Sequence, residues 1–211
     1  MRSITFVTVA LVIFGYIPDS TGFELTDTYD TLGPGGPLLS QGGIGYNNFG
    51  FGRSGDDFPR IGLAPISGTM VAYADATSSS LFTTGRCFNL KSFYWACRAT
   101  VSRSEGNILE PSPCILTLTA FGARNQEVAK QNYTYTARQT SLPGSSPMGT
   151  MDSAVANLKP AKMIRISVVA VKGFPEDIKL YFDNVTYSQY DGSAAGLGNC
   201  PGFSDDLLGI L

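Results

Sequence analysis

The sequence predicts an all-β protein, an antiparallel β-sandwich or jelly roll that is stabilised by disulfides. Apolar and polar residues alternate in several segments, most clearly in Leu116-Thr117-Leu118-Thr119-Ala120. Glycine, proline and serine separate these segments at intervals of roughly ten residues, a spacing typical of sandwiches. Four cysteines in 211 residues are enough for two cross-links.

The N-terminal segment 1–22 has the organisation of a secretory leader. A basic residue precedes an apolar run from Ile4 to Ile17, and small residues follow it. That run is too short to cross a bilayer comfortably, and no later stretch is long or apolar enough to anchor the chain. We therefore expect a secreted, extracellular β-sandwich domain over residues 23–190, without a membrane span, and a flexible C-terminal tail over residues 191–211.

The elements follow in chain order. Thr31–Phe58 is too rich in glycine and proline for a helix, and its aromatic residues predict an ordered loop or short strand. Met163–Val171 is almost continuously apolar, which predicts a central strand buried on both faces. Met151–Leu158 is the one helical suggestion, of one or two turns. The remaining predicted strands are Met70–Ala76, Cys87–Ala99, Leu116–Ala120, Glu127–Thr136 and Ile178–Phe182.

The composition narrows the function classes. The net charge of −2 and the 15% of charged residues give no basis for binding nucleic acid or an anionic membrane. The absence of histidine excludes serine–histidine and cysteine–histidine catalysis and histidine-based metal sites. Asp56 and Asp57 are the best carboxylate pair for acid–base work, but neighbours on an extended strand point to opposite faces. A non-catalytic protein is favoured, although the sequence does not decide whether it is an enzyme.

The four cysteines, Cys87, Cys97, Cys114 and Cys200, lack the spacing of a metal knuckle or redox motif. In an oxidising compartment we expect two disulfides, and three connectivities are open. We prefer Cys97 with Cys114, because both lie where a hairpin opens into the predicted loop from Ser102 to Pro113. Cys87 would then hold the tail through Cys200.

Three stretches together carry a resemblance to known proteins. They are Gly45-Tyr46-Asn47-Asn48-Phe49, the pair Phe88–Ala96 and Leu116–Gly122, and Tyr181-Phe182-Asp183-Asn184-Val185-Thr186-Tyr187. In this order they resemble the segments of secreted fungal and bacterial jelly-roll proteins of galactose-binding-like form, over most of residues 41–188. The resemblance implies a carbohydrate-binding-module-like sandwich, usually without catalytic activity and mostly of unassigned function.

A glycan site is predicted at the start of this pattern. Tyr46, Phe49, Phe51 and Trp95 could form a platform on which sugar rings stack. Asn47 and Asn48 could hydrogen-bond to hydroxyls there, because glycine-rich loops at the ends of sandwiches often carry ligand contacts. Core packing is the alternative for these rings. For Trp95, which lies in a strongly apolar segment, core packing is preferred.

The resemblance also implies a structural calcium ion. Asp183 would be one ligand, and Glu24 or Asp27 near the first strand would supply another, with carbonyls and water completing the shell. The alternative, which we favour, is that Asp183 accepts backbone hydrogen bonds at a strand edge. No cofactor is otherwise indicated.

Two segments have the pattern of N-glycosylation acceptors, Asn132-Tyr133-Thr134 and Asn184-Val185-Thr186. The first lies on a polar alternating strand. The second overlaps the closing strand, where access is more restricted.

Three functions remain open. The first is a secreted non-catalytic protein that recognises a glycan on a cell wall or host surface. The second is a fungal effector or interaction protein that acts on a host protein, such as a cell-surface protein. The third is a histidine-free cyclase or isomerase, which would need a deep pocket and a carboxylate of raised pKa.

Overall fold

The computed structural model describes residues 23–32, 36–41, 43–53, 63, 66–75, 79–82, 87–104, 106–137, 139–140, 148–174 and 177–189. The leader over 1–22, the tail over 191–211, and the pair Asp56 and Asp57 lie outside these residues. Within them the chain forms strands and turns and no helix, which confirms the all-β prediction. Consequently no helix in this part is long or apolar enough to span a bilayer.

Fourteen strands lie in the described part of the chain. Their bounds are β1 (Phe23–Asp27), β2 (Gly36–Gln41), β3 (Ile44–Arg53), β4 (Met70–Asp75), β5 (Ser79–Phe82), β6 (Phe88–Arg103), β7 (Gly106–Pro111), β8 (Cys114–Phe121), β9 (Glu127–Tyr135), β10 (Gln139–Thr140), β11 (Met148–Gly149), β12 (Asp152–Val155), β13 (Met163–Ala170) and β14 (Ile178–Gln189).

Antiparallel pairing joins twelve of these strands into one sheet. Its order is β12-β6-β14-β4-β3-β5-β13-β8-β9, with β1 beside β14, β2 beside β3 and β7 beside β6; β10 and β11 form a separate pair. The sheet folds back on itself as a sandwich. Layer one contains β12, β6, β14, β4 and the second half of β3, and layer two contains the first half of β3 with β5, β13, β8 and β9.

The strand β3 passes from one layer to the other. Its first half, Gly45–Asn47, pairs with β5, and its second half, Phe49–Arg53, pairs with β4. Between the halves Asn48 has a φ of 58°, in the left-handed region that asparagine tolerates better than most residues. The bend at Asn48 is therefore the corner between the layers.

The core lies between the two layers and is rich in aromatic rings. Phe93 in layer one meets Tyr133 of layer two edge to face, with ring centroids 5.4 Å apart, and packs equally closely on Phe182. Trp95, 2% exposed, contacts Tyr133 and Tyr135, so its predicted core position is confirmed. The alternation predicted for β8 is also observed.

A disulfide joins the two layers through the core. Cys97 of β6 and Cys114 of β8 are bonded, with Cα atoms 6.2 Å apart, and both are fully buried. The preferred pairing is thereby confirmed. Cys87 is also in a disulfide, but the expected partner Cys200 lies outside the described residues.

Three sequence predictions were wrong about local structure. Met151–Leu158 contains the strand β12 and no helix, and Ala154 in this strand and Ala156 and Leu158 after it are buried at intervals of two. The predicted loop Ser102–Pro113 contains β7, which forms a hairpin with β6. The strand β13 is buried on one face only, because its other face lies on the outside of layer two.

The glycine-rich segment, predicted as an ordered loop or short strand, forms two strands. Residues of Thr31–Phe58 make up β2 and the ten-residue strand β3. One glycine in β3 is required sterically: a Cβ at Gly50 would lie 2.8 Å from the Tyr73 ring carbon Cε2. This glycine therefore lets an aromatic ring cover the strand.

The two ends of the large sheet lie against each other at a seam between β9 and β12. The Tyr133 hydroxyl donates to the Val155 carbonyl at 3.2 Å, and the Asn157 N–H donates to the Gln131 side-chain oxygen at 2.9 Å. Side chains of β9 thus form hydrogen bonds with backbone groups in and just after β12. A strand at the end of a sheet would otherwise expose such groups to solvent.

Candidate functional site

The predicted glycan residues divide between the two faces of β3. Tyr46 and Phe49 point into the core and are 2% and 4% exposed, whereas Asn47 and Asn48 are exposed. The left-handed residue Asn48 interrupts the alternation, so two successive amides face outward between two inward rings. The structure therefore does not bring Tyr46 and Phe49 to the surface as a stacking platform.

Asn47 belongs to a row of residues that crosses layer two. Backbone register places it level with Ser80, then Arg165, Thr119 and Lys130 on successive strands. Residues level with each other on neighbouring strands share a face. Asn47, Arg165 and Lys130 are exposed and Thr119 is half-buried. We call Asn47, Arg165, Thr119 and Lys130 the outer row.

Neighbouring side chains hold this face in shape. The Arg165 guanidinium carbon lies 4.9 Å from the centre of the Phe121 ring, a cation–π contact. On the other side of the outer row, the Thr117 hydroxyl donates to the Asn132 amide oxygen at 2.9 Å. No local sequence pattern indicates the outer row, because its members come together only through the register of neighbouring strands.

A second polar cluster lies on the buried side of β3. Asp27 and three tyrosines from different parts of the chain form it. Tyr46 donates its hydroxyl hydrogen to one Asp27 oxygen, and Tyr187 donates to the other at 3.3 Å. Tyr29 in turn donates to the Tyr46 hydroxyl at 3.3 Å. Asp27 is 2% exposed. These hydrogen bonds allow a carboxyl group to lie between the layers.

Burial shifts the pKa of every member of this cluster upward. Desolvation raises the pKa of Asp27 above its usual range, although the hydrogen bonds from Tyr46 and Tyr187 oppose the shift. Desolvation also raises the pKa values of Tyr29, Tyr46 and Tyr187, and the nearby Asp27 charge raises them further. The tyrosines are therefore neutral donors at ordinary pH.

Asp183 holds a loop segment onto layer one. Its carboxylate accepts backbone N–H groups of Ile66 at 2.7 Å, Ser67 at 3.1 Å and Asn184 at 2.8 Å. Burial raises its pKa, against the effect of these three donors. Asp183 thus has the backbone-acceptor role that we favoured from the sequence.

Asp30 holds the same segment from its other side. It accepts the N–H groups of Thr69 at 3.0 Å and Met70 at 3.3 Å. Gly68 has a φ of 48° and leaves no room for a Cβ beside the Asp30 carboxylate. Residues 66–70 are consequently fixed between two carboxylates.

The predicted calcium ligands lie in different environments. Asp27 and Asp183 receive hydrogen bonds from protein donors, and Glu24 is exposed, level with Ser188 at the other end of β1. Among the described residues, no group of three or more histidine, cysteine, aspartate or glutamate side chains is arranged to hold a metal. The structural calcium ion stays a prediction.

A small cavity lies beside the Asp27 cluster. Its volume is about 10 Å³, close to the space that a single water molecule requires. Its walls are apolar, and the side chains that line it include Tyr29, Tyr46, Phe49, Phe93, Phe182 and Val185. A cavity of this size cannot hold an organic substrate.

Arg98 is a buried cation that the sequence prediction missed. It is 1% exposed, and its Nη2 donates to the Leu109 carbonyl. No described residue accepts a hydrogen bond from its Nε or Nη1. Desolvation lowers its pKa to about 10, so it remains protonated at neutral pH.

The two glycosylation patterns lie in different environments. Asn132 is exposed on the terminal strand β9. Asn184 is half-buried at an irregularity of β14, with a φ of 46°, and its amide oxygen accepts the Ser67 hydroxyl at 2.7 Å.

Comparisons with known proteins give no family for this chain. No protein-family model and no curated protein matches it. It is similar to the crystal structure of a DUF4465 family protein from Bacteroides caccae, at 12% identity over 82% of this chain and 96% of that chain, with a TM-score of 0.47. It is also similar to the enzymatically active domain of bacteriophage CBA120 tailspike protein 4, at 10% identity over 81% of this chain and 19% of that chain, with a TM-score of 0.32. Both TM-scores are too low to support an argument about fold or function.

Proposed function

We propose that the protein is a secreted, non-catalytic binding protein that recognises a glycan of a cell wall or host surface through the outer row. The observation that carries this proposal is the register that aligns Asn47, Arg165, Thr119 and Lys130 on one face. Five adjacent strands about 4.8 Å apart give the row a length of roughly 19 Å. Sugar hydroxyls donate and accept hydrogen bonds, and these side chains offer both functions.

The surroundings of Arg165 support recognition by a fixed surface. Its guanidinium lies over Phe121, which limits the conformations that it can adopt before a ligand binds. Ordering a long side chain on binding costs about 0.5–1.5 kcal/mol, so a contact that orders it beforehand favours affinity. Asn48, exposed beside Asn47 at the corner, would extend the row at one end.

Three observations support a secreted sandwich of this class. The predicted leader over residues 1–22 would direct export, and the Cys97–Cys114 disulfide fits an oxidising compartment. The resemblance to galactose-binding-like jelly-roll proteins favours a carbohydrate ligand.

The interior supports a binding role over the cyclase or isomerase alternative. The pKa of Asp27 is raised, as that alternative requires. However, its oxygens accept tyrosine hydrogen bonds, and the cavity lined by Tyr29 and Tyr46 has room for about one water molecule. Recognition is therefore assigned to the surface.

A glycan array, repeated with calcium chelated, tests the proposal with protein from a eukaryotic secretory host. We expect retention of the wild type on a defined glycan, and a loss of at least tenfold in affinity in Asn47→Ala and Arg165→Ala. Lys91→Ala removes an exposed cation from β6 in layer one and serves as the matched control. Alanine at Tyr46 or Phe49 would test packing instead, because both residues are buried.

Other outcomes would decide against the proposal. Absence of retention on every glycan, together with recovery of a protein partner in a pull-down, would support the effector alternative. Full affinity in Asn47→Ala and Arg165→Ala would contradict the outer row as the binding surface even if a glycan binds.

A further inference from the structure

Two segments of this chain have the acceptor pattern for N-linked glycosylation, at Asn132 and Asn184. Each needs an accessible asparagine amide and the hydroxyl of a threonine two residues later. The structure separates the two segments by exposure, backbone conformation and hydrogen bonding.

The Asn132 segment is extended and open. Asn132 and Thr134 are exposed, and as residues i and i+2 of a strand they lie on the same side. Tyr133 between them points inward, where its ring packs on Phe93 at 5.4 Å. β9 is at one end of the large sheet. A bulky group on Asn132 would therefore lie over the outside of layer two without disturbing the core.

A hydrogen bond also orients the Asn132 amide. The Thr117 hydroxyl donates to Oδ1 at 2.9 Å. Because Oδ1 and Nδ2 lie on opposite sides of the amide carbon, this bond directs Nδ2 away from Thr117. Nδ2 is the atom to which an N-linked sugar is attached.

The Asn184 segment, in contrast to the Asn132 segment, is partly buried and held by hydrogen bonds. Asn184 is half-buried with a φ of 46°, and its Oδ1 accepts the Ser67 hydroxyl at 2.7 Å. β14 is flanked by β6 on one side and by β1 and β4 on the other. An oligosaccharide there would displace the segment 66–70, which Asp183 and Asp30 hold.

We propose that Asn132 carries an N-linked oligosaccharide after passage through a eukaryotic secretory pathway, that Asn184 does not, and that this oligosaccharide covers the Lys130 end of the outer row. The sugar donor is an oligosaccharide on a lipid diphosphate. Asn132 Nδ2 bonds to the anomeric carbon and loses one proton, while the bond from that carbon to the diphosphate oxygen breaks and the diphosphate leaves with the electron pair. The Asn47 end of the row, four strands away, stays open.

Intact-mass measurement before and after treatment with peptide N-glycosidase tests the site. We expect one oligosaccharide on the wild type and on Thr134→Ser, which keeps the acceptor pattern, and none on Thr134→Ala. Thr186→Val removes the second pattern without changing Asn184 and should leave the mass shift intact. An unglycosylated wild type, a shift that persists in Thr134→Ala, or a shift lost in Thr186→Val would overturn the assignment.

Chemical labelling of lysine amines tests whether the oligosaccharide covers Lys130. Lys130 and Asn132 are two residues apart on the same side of β9, whereas Lys91 is exposed on β6 in layer one. Enzymatic removal of the oligosaccharide should raise the labelling rate of Lys130 severalfold and leave that of Lys91 unchanged. Equal rates for Lys130 before and after removal would contradict the covering. Neither measurement depends on whether the outer row binds a glycan.

Discussion

Burial of Asp27 and Asp183 makes the folding free energy depend on pH. Their pKa values are higher in the folded protein than the usual value of 3.8, mainly because burial disfavours the charged form. The stability that these two carboxyl groups contribute is fully present at pH values below their pKa in the unfolded chain. It is lost as the pH rises through the raised folded pKa values.

Asp27→Asn should weaken this pH dependence. Asparagine keeps an acceptor for a tyrosine hydroxyl but has no charge to desolvate, so the variant should gain stability relative to the wild type as the pH rises from about 3 to 7. Urea unfolding at a series of pH values measures the difference. Asp183 still titrates in the variant, so a reduced slope is expected. Parallel curves for variant and wild type would contradict the assignment.

Arg98 is a second residue whose burial predicts a stability change. Its guanidinium is 1% exposed, and no described residue accepts hydrogen bonds from Nε and Nη1. Replacing a buried ion pair with well-packed apolar side chains of similar volume is often neutral or stabilising by about 1–4 kcal/mol, because burying charges costs desolvation energy.

We therefore expect Arg98→Met to leave the free energy of unfolding unchanged or to raise it within that range. Arg98→Ala, which also removes the stem, should be less stable than Arg98→Met because it leaves a cavity. Chemical denaturation of both variants measures the difference. Destabilisation in Arg98→Met as large as in Arg98→Ala would show that the guanidinium itself stabilises the fold.

At the scale of strands, the sequence pattern predicts a strand correctly where one face of that strand is buried and the other face is exposed. β8 was predicted from its alternation, and the apolar segment around Trp95 was correctly placed in β6. β12 was mistaken for a helix, because a short segment rich in alanine has no decisive period. β7 was missed because its hydrogen bonds with β6, not its composition, make it a strand.

The candidate site was only partly predictable for the same reason. The sequence singled out Asn47 and Asn48, which are exposed, but grouped them with Tyr46 and Phe49, which are buried. The corner at Asn48 separates these pairs, and a left-handed asparagine has no distinct local pattern. Arg165 is 118 positions from Asn47 along the printed sequence, so register across the sheet is needed to bring them together.

The seam between β9 and β12 gives a prediction at this scale. Tyr133→Phe keeps the ring contacts with Phe93 and removes the hydroxyl that donates to the Val155 carbonyl. We expect a loss of at most about 1 kcal/mol in the free energy of unfolding, and faster hydrogen exchange confined to β12. Native-state exchange measures both. Faster exchange spread over β6 and β14 as well would indicate that the hydroxyl acts on the whole layer.

For the molecule as a whole, the Cys97–Cys114 disulfide has the largest predicted effect. It joins residues 17 positions apart in opposite layers, and both sulfur-bearing side chains are fully buried. A loop of about this length corresponds to roughly 3 kcal/mol in the chain-entropy account of cross-links. The Cys97→Ala, Cys114→Ala double variant should lose about that much stability, with a further loss from packing.

Reduction provides an independent check on this disulfide. Because both cysteines are inaccessible, dithiothreitol and an alkylating reagent should modify them only in denaturant. Mass spectrometry of the peptides that contain them measures the modification. Rapid alkylation of Cys97 and Cys114 under native conditions would contradict the burial.

The strand β3 belongs to both layers through the corner at Asn48. Neither layer can lose its order while the other keeps a complete set of hydrogen bonds, and the disulfide between β6 and β8 reinforces this coupling. Heating should consequently melt the domain in one cooperative step, with calorimetric and van't Hoff enthalpies equal. A ligand held on the outside of layer two would then protect amides throughout layer one, although it touches none of them.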